Sequence, residues 1–124
     1  MIKQVAKLIS IDENIIEESI CLLINGIEIN CFLSICDFPI VLGEEYEVLF
    51  SFSDFDVEEA EHGTNEVEKI NDAYSYKITG LLEGGVLNST FKIYDDFLES
   101  DYTYLDGSYV SLLVERLDVE ILSN

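Results

Sequence analysis

The dipeptide Asn25-Gly26 constrains this chain more than any other feature. It lies between two runs rich in branched apolar residues. Asn-Gly is the preferred pair for a two-residue hairpin turn, because both residues accept positive φ. The turn dictates a register: Ile24 faces Ile27, Leu22 faces Ile29 and Ile20 faces Cys31. Every pair on that face is apolar, and Leu33 and Ile35 extend it. A slip of one residue would send the whole set to the other face, so the agreement identifies a half-buried hairpin.

Further strands follow from period-two alternation. Tyr46, Val48, Phe50 and Phe52 share one side, with Glu45, Glu47, Ser51 and Ser53 on the other. Val110, Leu112 and Val114 alternate with Tyr109, Ser111 and Glu115, and Leu117, Val119 and Ile121 continue with the opposite parity. The parity change at Glu115-Arg116 predicts a bulge or turn. Gly84-Gly85 predicts a second hairpin, pairing Leu82 with Leu87, Gly80 with Ser89, Ile78 with Phe91 and Tyr76 with Ile93. That register sets Lys77 against Lys92, a repulsive pair. Gly80 within the strand predicts a bulge or sharp coil. Residues 2–11 read as a poorly alternating strand, and residues 12–19 as a loop or one helical turn.

No segment keeps a helical period over three turns. The stretch 57–71 is interrupted by Gly63 and heavily acidic, so it reads as a long loop with at most one short helix, and 94–107 is the other long connection. The expected fold is therefore one all-β domain over residues 1–124. It is a small, strongly coiled antiparallel barrel of OB-like type, with two long acidic connections.

Composition bears on partners. Of 124 residues, 26 are Asp or Glu and 6 are Lys or Arg, a formal charge of −20, while 48% hydrophobic residues supply a globular core. The charge argues against nucleic acid and against an anionic membrane surface, both of which are bound through Lys and Arg. Between Leu8 and Glu68 there are sixteen acids and no Lys or Arg. The apolar stretch Leu8-Ile9-Ser10-Ile11 is too short for a signal-peptide core, and the three cysteines, Cys21, Cys31 and Cys36, form no Cys-x-x-Cys. Both features lead us to expect a cytoplasmic protein with reduced, mostly buried thiols.

Catalytic and metal signatures are weak. The lone His62 has no spacing relation to a nucleophile, and Cys31, Cys36 and His62 do not match a zinc pattern. Among 26 acids a close carboxylate pair carries no information about hydrolysis. Asp95, Asp96, Asp101 and Asp106 offer hard oxygens in one connection but lack the spacing and glycine of a calcium loop. No cofactor is expected.

Two acidic segments also carry aromatics. The first holds Asp54, Phe55, Asp56, Glu58 and Glu59, and the second Asp95, Asp96, Phe97, Asp101, Tyr102 and Tyr104. Interfaces combine apolar anchors with complementary charge in this way. In size, charge and loop character the chain is similar to the small acidic immunity proteins with which bacteria neutralise toxins. That resemblance implies a non-enzymatic module whose partner is a basic protein such as a toxin domain. The alternative is a barrel that binds a small cationic ligand or serves as an assembly subunit.

Such an excess of acid repels itself, and salt screens it. The melting temperature should rise between low and physiological ionic strength; a calorimetric series showing no change would refute strong self-repulsion.

Overall fold

The computed structural model describes residues 2–12, 19–36, 39–52, 54–70 and 75–123. In chain order the strands are β1 (Gln4–Asp12), β2 (Ser19–Ile24), β3 (Ile27–Ile35), β4 (Glu45–Phe52), β5 (Phe55–Glu59), β6 (Glu66–Ile70), β7 (Ser75–Glu83), β8 (Val86–Asn88), β9 (Lys92–Tyr94), β10 (Tyr109–Val114) and β11 (Leu117–Ser123). A five-residue helix α1 (Asp96–Ser100) and a 3-10 turn (Thr103–Leu105) lie between β9 and β10. The segment expected as a loop or helical turn at 12–19 falls almost entirely outside the described residues.

Five strands close a barrel in the order β1-β2-β3-β11-β4. That order, with β3 and β11 parallel and the other contacts antiparallel, makes the barrel OB-like. The Asn25-Gly26 hairpin has the register read from the sequence, Ile24 opposite Ile27 through Ile20 opposite Cys31. Asn25 at φ 48° and Gly26 at φ 86° form the turn. Ile20, Leu22, Ile24, Ile29 and Cys31 are all buried.

The remaining strands form a second sheet, β5-β10-β7-β8-β9, with β6 also on β7. Here the structure differs from the sequence reading in two places. Residues 55–59 and 66–70 are strands, not loop. Their alternation is short, Phe55-Asp56-Val57-Glu58 in β5, and the acids mask it. The Gly84-Gly85 hairpin keeps Leu82 opposite Leu87 and Leu81 opposite Asn88, then stops. Beyond Asn88 the chain turns back as β9 on β8, and β7 pairs with β6 instead.

Gly80 explains the change of partner. A Cβ there would fall on the carbonyl oxygen of Asn88 and lie 3.0 Å from the Cα of Ser89. The 88–89 turn thus crosses close over β7, and Ser89 Oγ donates to the Thr79 carbonyl at 2.6 Å. The new partner also relieves the lysine repulsion, because Lys77 now faces Glu68.

The two sheets share one apolar core. Phe50 of the barrel meets Phe91 of the second sheet at 4.8 Å between ring centroids. Polar clamps flank this contact. The Gln4 side-chain amide donates to the Lys92 carbonyl (2.6 Å) and accepts from the Lys92 N–H (2.8 Å), Asn25 Nδ2 donates to the Thr90 carbonyl (2.7 Å), and the Asn30 N–H donates to Tyr76 Oη (2.8 Å).

The parity change at Glu115-Arg116 is neither a one-sided bulge nor a reversal. Leu117 faces Phe52 in the barrel and Val114 faces Phe55 in the second sheet, and the register is the same on both sides of the joint. Between them the Glu115 N–H donates to the Asp54 carbonyl at 3.3 Å. One two-stranded ribbon therefore runs through both sheets, and its buried face switches side at the joint.

The two kinds of glycine should respond differently to alanine. Gly26 has open space around it, so Gly26→Ala costs only the left-handed backbone penalty of about 1–2 kcal/mol. Gly80→Ala forces backbone apart and should cost about 3 kcal/mol or prevent folding. Urea denaturation of both variants measures the order, and a milder Gly80→Ala would refute the close crossing.

Candidate acidic and aromatic interface

The second sheet presents β5 as an edge strand, paired on one side with β10. Phe55 and Val57 turn toward the core and are half-buried, whereas Asp56 and Glu58 project from the outer face and are exposed, as are Asp54 and Glu59. Across the sheet, Asp56 shares a row with Leu113, Lys77 and Glu68, and Glu58 shares one with Ser111, Thr79 and Glu66. At the centre of that face Thr79 and Ser111 are buried, their hydroxyls 2.6 Å apart. Acids thus line both flanks of the outer face.

The second acidic segment meets the first through aromatic rings. Phe52 contacts Phe55 edge-on at 4.8 Å, Phe55 lies 6.2 Å from Tyr102, and Tyr102 lies 6.1 Å from Tyr104. The run leads from the barrel core out to Tyr104, which is 75% exposed. Phe97, on α1, is 60% exposed, while its neighbour Leu98 is buried and holds the helix to the core. Segments some forty residues apart in sequence are thereby joined, and no Lys or Arg occurs between Lys92 and Arg116 or within β5.

Not every acid in the second segment is free for a partner. Asp95 caps α1, its Oδ1 accepting from the N–H groups of Phe97 (2.9 Å) and Leu98 (3.3 Å). This satisfies amides that a helix start leaves unpaired. Tyr94 Oη donates to Asp96 Oδ1 at 3.0 Å and to Glu99 Oε2 at 2.5 Å. Asp101 accepts from Ser100 Oγ at 3.2 Å, and Asp106 accepts from the Gly84 N–H at 2.7 Å, tying the connection to the β7–β8 hairpin. These four aspartates are spent on separate partners, and among the described residues no three His, Cys, Asp or Glu side chains converge to hold a metal. Sequence reasoning missed Tyr94 and read Asp106 only as a hard-oxygen donor; an Asp two residues ahead of Phe97-Leu98 was the available signal for the Asp95 cap.

The other sequence candidates disperse. His62 stacks edge-on against Tyr109 at 5.0 Å in the second sheet, whereas Cys36 follows β3 in the barrel. Cys31 is fully buried, and burial pushes its thiol far above the ordinary range. The side chain of Arg116 lies over the ring of Phe32 at 4.5 Å, with Nε 2.9 Å from Asp118 Oδ1. An open groove of 450 Å³ separates the barrel wall from the start of α1. Three carboxylates, Asp95, Asp96 and Glu120, line it beside Leu49 and Phe50, so it is not a closed apolar cavity. No described helix is long and apolar enough to cross a membrane.

An OB-like barrel carrying an inserted, acid-edged sheet is the class of protein that this fold and surface define. The chain belongs to the family described as "Uncharacterised conserved protein UCP019853", whose model matches residues 1–122. No curated protein and no solved structure matches it.

The carboxylates that accept from Tyr94, Glu99 foremost and then Asp96, hold its phenol well above the usual tyrosine range. A pKa raised on folding favours the neutral form. The stabilisation is therefore complete below the unfolded tyrosine value of about 10 and is lost as pH rises through the folded value. Burial raises the Tyr76 phenol as well, so ultraviolet titration should show more than one late tyrosinate transition, one of which Glu99→Gln moves to lower pH. If the substitution moves none of the late transitions, Glu99 is removed as the cause.

Proposed function

We propose that this protein is a non-enzymatic, acidic protein-binding module of the cytoplasm that captures a basic partner, and in its sharpest form an immunity-type inhibitor of a bacterial toxin domain. The observation that carries the reading is the meeting of the two acidic segments through Phe55, Tyr102 and Tyr104. The exposed rings of Phe97 and Tyr104 supply contact area, Phe55 and Tyr102 anchor that surface to the core, and carboxylates uncountered by local cations supply steering. The acidic face of the barrel around Glu28, Glu45 and Glu47 is the weaker candidate, because Glu45 sits opposite Lys7.

Charge and aromatic contact should separate kinetically. With a basic toxin domain encoded beside this chain as partner, converting Asp54, Asp56 and Glu58 to Asn or Gln should slow association about tenfold and flatten its salt dependence. Tyr104→Ala should chiefly speed dissociation. If the partner binds unchanged after both sets of substitutions, the surface is assigned wrongly; if no basic partner domain binds the native protein, the function is.

A further inference from the structure

The backbone of β5 offers such a partner a free strand edge. In an antiparallel pair, residues alternate between those bonded across the pair and those turned away from it. The Ala60 N–H donates to the Tyr109 carbonyl at 2.9 Å, and the Asp54 carbonyl accepts from Glu115. Even-numbered residues of this strand therefore bond to β10. Phe55, Val57 and Glu59 turn their N–H and C=O groups outward, and among the described residues no strand pairs with that side. Strand edges of this kind are templates for a further strand.

Resting on the basic-partner reading above, we propose that the free edge of β5 accepts an extended segment of the partner as an added strand, and that this segment alternates basic and apolar residues. On the outer face its side chains would lie beside Asp56 and Glu58, which are exposed and which select Lys or Arg. On the inner face they would lie beside Phe55 and Val57, with Tyr102 behind Phe55. A second copy of this chain is disfavoured, since two β5 edges paired about Val57 place Asp56 against Glu58. The edge of β6 is the poorer host, because Lys69 lies in that strand and repels a basic segment.

The probe is a synthetic peptide alternating Lys with Val. Its controls are a peptide of the same composition with the residues in blocks, and one alternating Glu with Val. The Lys–Val peptide should bind about tenfold more tightly than the block peptide and slow amide hydrogen exchange at Phe55, Val57 and Glu59. The double variant Asp56→Lys, Glu58→Lys should transfer the preference to the Glu–Val peptide. Val57→Pro removes an outward donor and leaves every bond to β10 in place, so it should abolish binding while the chain stays folded, as edge strands tolerate proline. Should Val57→Pro fail to fold, a Lys–Val peptide N-methylated along its pairing edge makes the same test on the native protein and should not bind. Equal binding of alternating and block peptides, or unchanged exchange at those three amides, overturns strand addition while leaving the acidic surface as a site for a basic partner. Absence of Lys–Val binding to a protein that still captures its toxin domain overturns strand addition alone.

Discussion

Everything in this structure hangs on the pairing that continues from β4·β11 into β5·β10. The ribbon enters the second sheet at Phe55 opposite Val114 and leaves the barrel at Phe52 opposite Leu117, without a change of register. It is simultaneously a wall of the barrel and the start of the inserted sheet. Because side chains alternate across a strand, a wall that serves two cores must show one parity to each. Phe52 and Phe55, in contact at 4.8 Å, mark the switch. The docking clamps at Gln4, Asn25 and Tyr76 then fix the angle at which the sheet meets the barrel.

The same arrangement explains how so acidic a chain stays folded. Its branched and aromatic residues fill a core common to both sheets, and burial of that apolar surface opposes the self-repulsion of the carboxylates. Many of the acids lie where repulsion costs least, on the solvent faces of strands and in turns. Several do structural work there: Asp95 starts a helix, Asp106 ties down a hairpin and Glu68 faces a lysine. Among the described residues, no hydrogen bond or ion pair engages the side-chain carboxylates of β5.

Local signals were legible in the sequence, and distant pairings were not. The Asn25-Gly26 hairpin was readable pair by pair because its turn chemistry and apolar face agree. The alternation of β4, β10 and β11 was equally plain, whereas the expectation of an OB-like barrel rested on the number of strands, the two long connections and Gly80, which lies in the second sheet. The partner of β7 was hidden, because the choice between β6 and residues 89–93 is settled by the close crossing at Gly80. The like-charged Lys77–Lys92 pair was the one local warning. Strands β5 and β6 were concealed by acids that mark an exposed edge as readily as a loop. At the candidate interface both acidic segments stood out, but that Phe55 and Tyr102 touch is a fact of tertiary packing. Asp95 and Asp96, read as partner residues, also hold the helix and Tyr94 in place.

The joint also bears on the order in which the chain can assemble. Phe52 and Leu117 are direct partners, yet roughly sixty residues separate them, and closing a disordered loop of that length costs about 4 kcal/mol. The inserted sheet removes most of that cost, since its own end strands bring Phe55 and Val114 side by side. β11 must then fit between β3 and β4, the last two edges of the barrel. Barrel closure is thus entropically dependent on the sheet it hosts: the insertion acts as the clasp that delivers the final strand.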